Sequence, residues 1–224
     1  MSGCCDSSGY RGVFNTKAAE RYVRTFGKKG LDSTAAPMVG ALCSKGVDGA
    51  SVLEVGAGAG TAIVSLLEAG ASRAVAFEIS SAYEGPAGRL REERGIEAPV
   101  EWHTDDFVAM ADTVGSADVV FLNRVVCCYP DMEELIDAVT AKSTRLLAVS
   151  YPRDRLSFRF LARIMNAWLK FRKNTFRVFL HDPAMVASRV AAGGLREVAA
   201  GTTPGWHWKV WERQAAGSQQ QSGH

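Results

Sequence analysis

The sequence lacks any run of apolar residues near the roughly 18 that a membrane span requires. Its opening, Met1-Ser2-Gly3-Cys4-Cys5-Asp6, also lacks the basic-then-apolar order of a secretory signal. Neither sign of charge dominates. The 26 Lys and Arg against 24 Asp and Glu leave a net charge of +2, which argues against nucleic acid as a partner bound over the whole surface. Cysteine is scarce: Cys4, Cys5, Cys43, Cys127 and Cys128 are odd in number and include two adjacent pairs, a poor framework for disulfides. Reduced thiols in a soluble cytoplasmic protein fit better. What the chain does have is 47% hydrophobic and 22% charged residues over 224 positions, enough for one ordinary domain with additions and too apolar for a disordered polymer.

Residues 10–45 read as helical, with Val13, Phe14, Ala18, Tyr22 and Phe26 spaced mostly by threes and fours and with Gly27 and Gly30 as punctuation. From Ser51 the pattern changes to short apolar runs at 51–55, 73–79, 99–104, 117–123 and 144–151, separated by helical stretches at about 60–69, 80–94, 106–113 and 131–141. Runs such as Asp118-Val119-Val120-Phe121-Leu122 are apolar on both faces, as in a parallel sheet covered by helices on both sides. A helical stretch over 155–173 interrupts the alternation, and Asp182-Pro183 reads as a cap followed by proline at the first helical position. Two closing strands, 195–200 and 206–213, complete a doubly wound α/β fold with a mostly parallel, seven-stranded sheet. The domain organisation expected is an N-terminal helical lid over 1–50, a main domain over 51–213 and a disordered tail over 214–224.

The most informative segment is Val52-Leu53-Glu54-Val55-Gly56-Ala57-Gly58-Ala59-Gly60-Thr61, an apolar strand entering a glycine turn that opens a helix. Glycines there let backbone approach a ligand at the carboxyl end of the first strand. The spacing departs from the G-x-G-x-x-G of dinucleotide enzymes, because Thr61 stands where the third glycine belongs. Glu54, two residues before the loop, would repel a pyrophosphate and suit a phosphate-free cofactor carrying a sulfonium and an ammonium group.

This stretch resembles motif I of class I S-adenosylmethionine-dependent methyltransferases, and the similarity extends over about 51–213. The resemblance implies S-adenosylmethionine as cofactor and a Rossmann-like methyltransferase fold. It also implies that Glu54, Gly56, Ala57, Gly58 and Gly60 form the loop, and that Glu78 and Ile79 at the end of the second strand serve the ribose. Asp105, Asp106 and Phe107 would hold and cover the adenine, with Asn123 beside the transferable methyl group. The order of elements is similar to the branch of magnesium-protoporphyrin and quinone O-methyltransferases. Where the porphyrin enzymes carry a histidine before Tyr-Pro, this chain has Cys128-Tyr129-Pro130. Cys128, Tyr129 and His181 are the candidates for catalytic contact.

Methyl transfer at a sulfonium needs alignment of the acceptor above all, so the acceptor leaves little trace in sequence. A small molecule methylated at oxygen is the first expectation, its pocket formed by the lid, residues 124–129 and the insertion over 153–181. Two other readings stay open: methylation of a thiol or of a metalloid held by the paired cysteines, and a non-catalytic cofactor-binding module. No metal site is expected, since adjacent cysteines differ from C-x-x-C spacing. Residues 153–177 hold eight basic side chains against Asp154 alone, and Arg155, Arg159, Arg163, Lys170 and Lys173 fall within about an 80° arc of a helix. The expectation is one packed apolar face and one cationic face, the latter drawing in an anionic acceptor or, through 155–173, touching a membrane peripherally.

Overall fold

The computed structural model describes residues 7–153 and 156–214. Cys4, Cys5, Asp154, Arg155 and the tail beyond Gln214 lie outside the described residues. The helical stretch expected over 10–45 is three helices: α1 (Ser7–Val13), α2 (Thr16–Lys29) and α3 (Ala35–Ser44). The breaks have local causes. Asn15 caps α2, its side chain accepting from the Ala18 amide at 3.1 Å. Gly30, at φ 72°, ends that helix. Asp32 then accepts from the amides of Thr34 and Ala35, which sets the start of α3.

Seven strands follow: β1 (Ser51–Val55), β2 (Arg73–Phe77), β3 (Val100–His103), β4 (Ala117–Leu122), β5 (Ser143–Pro152), β6 (Leu195–Thr203) and β7 (Trp206–Arg213). They form one sheet in the order β3-β2-β1-β4-β5-β7-β6. The first five are parallel, and β7 runs antiparallel to both β5 and β6. Helices α4 (Thr61–Glu68), α5 (Glu84–Glu93), α6 (Phe107–Met110), α7 (Met132–Lys142) and α9 (Pro183–Ala192) cover it, with α8 (Leu156–Phe171) inserted after β5.

Strand residues alternate between two cores. Val52, Ala74, Val119, Phe121, Leu146 and Val210 pack with Met38 and Leu42 of α3 and Ile63 and Leu66 of α4. Their neighbours Leu53, Val75, Val120, Leu122, Leu147 and Trp211 pack with Leu135, Ile136 and Val139 of α7 and Val186 and Val190 of α9. A period of two with both positions apolar is what burial of both sheet faces requires. The cap read at Asp182 is present: its carboxylate accepts from the Ala184 amide at 2.8 Å, with Pro183 opening α9.

Helix α8 departs from the expectation of a packed apolar face. Its inward contacts are made by Ala162 and Leu169, which meet Cys127, Phe176 and Val178, while Phe160, Leu161, Ile164, Met165, Trp168 and Phe171 are exposed. The reason is geometric. The sheet face that a long apolar helix would cover is already filled by α7 and α9, so α8 rests on the small cluster beside it.

Trp211 is buried where β7 meets that filled face. Trp211→Ala is expected to lower unfolding stability by roughly 3–5 kcal/mol, measured by chemical denaturation; a loss below about 1 kcal/mol would show that the closing strand contributes little to the core.

Candidate functional site

Strand order reverses at β1, whose neighbours are β2 on one side and β4 on the other, so crossovers leave in opposite directions and open a crevice at the carboxyl ends. A cavity of about 410 Å³ lies there, within the size range of small-molecule sites. Its floor is the glycine turn. Gly56 and Gly58 have φ of 70° and 54°, and a side chain at Gly56 would collide with Val125, whose Cγ2 lies 2.3 Å from where a Cβ would stand. The amides of Gly56 and Ala57 both donate to the Phe77 carbonyl, at 2.7 and 3.0 Å, pinning the turn to the end of β2. Gly60, at φ 69°, caps α4 in the left-handed region and lies outside the cavity lining. Glu54, Gly56, Ala57, Gly58, Glu78, Ile79, Asp105, Asp106, Phe107 and Asn123 all line the cavity.

Two buried carboxylates give the site its character. Glu78 accepts from the Gly58 amide at 2.8 Å and the Ser80 amide at 2.9 Å, and burial pushes its pKa up against those bonds. Glu54 accepts from the Ile63 amide at 3.3 Å. Burial holds it well above the usual carboxylate range, and the charges of Glu78 and Asp32 push it the same way. With Asp105 and Asp106 these acids outnumber Arg21 and Arg124 in the lining, which favours a ligand carrying positive charge beside the glycine turn. The glycine turn adds the room for a nucleoside to lie against backbone, so these residues fit the cofactor implied by the resemblance.

Asp106 does two local tasks: it accepts from the Val108 amide to cap α6, and it accepts from the Tyr129 hydroxyl at 3.2 Å. Asn123 is also engaged. Its Nδ2 donates to Asp32 at 2.9 Å and its Oδ1 accepts from the Ser150 hydroxyl at 2.8 Å. Cys128 and Tyr129 line the cavity, whereas His181 does not; the His181 Nε2 lies 2.9 Å from the Tyr129 carbonyl, behind the wall. The insertion over 153–181, expected to help form the acceptor pocket, contributes no described residue to the lining, because α8 packs behind Cys127 and the cavity is closed on that side by α1 and α2. Tyr10, Val13, Phe14, Ala18, Arg21 and Tyr22 supply that wall. Tyr10 donates to the Cys128 carbonyl, and the Ser80 hydroxyl donates to the Phe14 carbonyl at 2.5 Å, so the middle of α1 and the residue that follows it are tied to the loops after β4 and β2.

Asp32 was not evident as a site residue. Its local pattern, Asp32-Ser33-Thr34 before an alanine pair, signals only a helix start. In the fold it accepts from the Tyr22 hydroxyl at 3.0 Å and from Asn123 at 2.9 Å, and it pairs with the Arg124 guanidinium at 2.9 Å. Burial and the Asp32 charge together raise the Tyr22 pKa, keeping that phenol protonated. Arg124 sits at φ 62°, an unfavourable conformation for a side-chain-bearing residue. Its amide donates to Ser150 and its guanidinium to Thr34, which hold it there. The Sγ atoms of Cys127 and Cys128 lie 3.6 Å apart. The Cys128 thiol beside it holds Cys127 below the ordinary thiol range, outweighing burial. Among the described residues no cluster of three or more His, Cys, Asp or Glu could hold a metal ion.

Residues 52–150 match the family described as "Methyltransferase domain". No curated protein matches the chain. Among solved structures, magnesium protoporphyrin IX methyltransferase from Synechocystis with bound S-adenosylhomocysteine is similar, with a TM-score of 0.72 and 20% identity over 93% of this chain and 100% of that one. An O-methyltransferase family protein from Burkholderia thailandensis has a TM-score of 0.67 and 18% identity, covering 92% of this chain and 62% of that one. The N-methyltransferase NodS from Bradyrhizobium japonicum, in complex with S-adenosylhomocysteine, has a TM-score of 0.62 and 16% identity over 90% and 100%. At these identities the likeness establishes the fold.

The raised Glu54 carboxyl carries a pH signature. Folding is helped by protonation of this group below the ordinary carboxylate pKa, and that help is lost as pH rises through the folded value. Glu54→Gln is therefore expected to melt higher than the native protein at about pH 8, with the gap closing near pH 5. A gap that instead widens on acidification would show that Glu54 is stabilised as an anion.

Proposed function

We propose that the chain, which matches the methyltransferase domain family over residues 52–150, is an S-adenosylmethionine-dependent methyltransferase that methylates a small molecule at oxygen. The observation that carries this reading is the acidic, phosphate-averse lining around the glycine turn, with Glu54 buried beneath it and Glu78 beside it. When bound, the cofactor supplies an activated methyl carbon.

The chain's residues divide the remaining work. Asp32 places negative charge beside the cavity, Glu54 gains its charge as the cation enters, and Glu78 retains lone pairs for ribose hydroxyls beyond those used by Gly58 and Ser80. Asp106 and Phe107 take the adenine end, and Asn123, fixed between Asp32 and Ser150, shapes the wall near the methyl position. Tyr10, Phe14, Val125 and Cys128 form the more apolar side, which excludes water and orients the acceptor. Arg21, also in the lining, adds positive charge that favours an ionised acceptor oxygen. Helices α1 and α2 act as the lid, held by Tyr10, Phe14 and the Asp32 contacts. His181, bonded to the Tyr129 carbonyl, serves this wall as a positioning residue.

Calorimetry with S-adenosylmethionine tests the cofactor site. Gly58→Arg is expected to abolish binding and Glu78→Ala to weaken it at least about tenfold, the scale of a charge-assisted hydrogen bond; native affinity in both variants would overturn the assignment. Release of S-adenosylhomocysteine across a panel of hydroxylated, amino and thiol acceptors then distinguishes the atom methylated.

The vicinal thiols support a second reading. Cys128 lines the cavity with its Sγ 3.6 Å from that of Cys127, a pair suited to a soft trivalent metalloid as methyl acceptor. Cys128→Ser is expected to remove arsenite-dependent S-adenosylhomocysteine release while leaving release with oxygen acceptors. Equal loss with both acceptor types, or no arsenite dependence in the native protein, would exclude it.

A further inference from the structure

The exposed side of α8 has no counterpart in the methyl-transfer machinery. Phe160 is 66% exposed, Trp168 58% and Phe171 83%, with Leu161, Ile164 and Met165 continuing the same patch. A cluster of this size on one helix exceeds the scattered apolar residues normal on a surface. The helix is nonetheless firmly seated. Asn166 makes a reciprocal pair of hydrogen bonds with Val178, Nδ2 donating to its carbonyl and Oδ1 accepting from its amide, both at 2.8 Å. Ala162 and Leu169 are buried beneath it. The patch is therefore a surface of the folded protein, held outward by the contacts on the opposite side.

The charge around the patch identifies what covers it. Arg159, Arg163, Lys170, Arg172 and Lys173 are all exposed, and residues 155–180 contain no acid. The Arg172 guanidinium lies over the Trp168 ring, 5.6 Å from its centre, bringing an aromatic and a cation together at the rim. A protein groove that received such a helix would have to match both an apolar stripe and a dense positive border. An anionic bilayer matches both without a specific shape: acyl chains accept the apolar side chains and headgroups accept the cations. None of the helices described is long and apolar enough to cross a membrane, so the contact is peripheral.

We propose that α8 is a docking helix by which this protein lies on an anionic lipid surface. The position of the helix joins this surface to the site. The cluster beneath α8 contains Cys127, Phe176 and Val178, and Tyr10, Phe14 and Cys128 pack on the same cluster while lining the cavity. Docking thus sets the apolar wall of the cavity one layer from the lipid, so that an acceptor leaving the bilayer would have only to pass α1 and α2 to enter. That last consequence rests on the small-molecule reading above; the docking itself does not.

Flotation of the full chain with vesicles tests it. Vesicles of phosphatidylcholine containing about one-third phosphatidylglycerol are expected to carry the protein at least about tenfold more strongly than phosphatidylcholine alone, with the difference shrinking as salt rises. Trp168→Ser with Phe171→Ser, and separately Arg163→Glu with Lys170→Glu, are each expected to reduce that binding about tenfold or more. Both pairs are exposed and lie outside the cavity, so S-adenosylmethionine binding by calorimetry should be unchanged and reports that the variants fold. Absence of flotation, equal flotation on neutral and anionic vesicles, indifference to both variants, or a stable dimer that buries the patch and does not float would each overturn the proposal. Loss of cofactor binding in the native protein with flotation intact would instead count against the methyltransferase site alone.

Discussion

Burial of the Glu54 carboxyl at the carboxyl end of β1 is the constraint around which the site is arranged. A carboxylate removed from water needs compensation from hydrogen bonds, a cation or a proton. The fold supplies the Ile63 amide and sets two further acids, Glu78 and Asp32, close enough to oppose its ionisation. The site is electrostatically incomplete by design of the sheet: the crevice at a strand-order reversal admits a ligand, and the surrounding charge selects a positive one. Glycine at 56 and 58 then shapes it, since both take positive φ and a side chain at 56 would collide with Val125.

Asp32 connects that constraint to the N-terminal helices. It receives hydrogen bonds from Tyr22 of α2 and Asn123 after β4, and it pairs with Arg124, so one carboxylate joins the N-terminal helices to the sheet. Arg124 accepts an unfavourable backbone conformation at the same point, stabilised by Ser150 and Thr34. Opening the cavity by moving α2 would therefore disturb the Asp32 contacts and the backbone at Arg124 together. The proposed methyl transfer, which depends on alignment, would benefit from a wall this closely tied to the strand ends.

The central part of this organisation was legible in the sequence because its cause is local. β1 and β7 have the expected bounds, Ser51–Val55 and Trp206–Arg213, since each is a compact apolar run ended by a turn. The glycine turn, Glu78, Asp106 and Phe107 follow strands in order and meet in one cavity. What escaped the sequence is what only tertiary packing decides. Asp32 advertises a helix start, and nothing near it in the chain reveals a partner 91 residues away. His181 stands next to a cap and turns toward a carbonyl outside the cavity. The periodicity of α8 correctly gives a helix with an apolar stripe, but periodicity cannot tell which side will be covered when the sheet face is already occupied by α7 and α9.

The most direct measurement is the proton balance of S-adenosylmethionine binding, obtained by calorimetry near neutral pH in buffers of differing ionisation enthalpy. A cation entering beside Glu54 lowers the proton affinity of that carboxyl, so binding to the native protein should release protons, and Glu54→Gln should bind with markedly less release. Binding without proton exchange, or release undiminished in Glu54→Gln, would contradict the role given to the buried carboxylate.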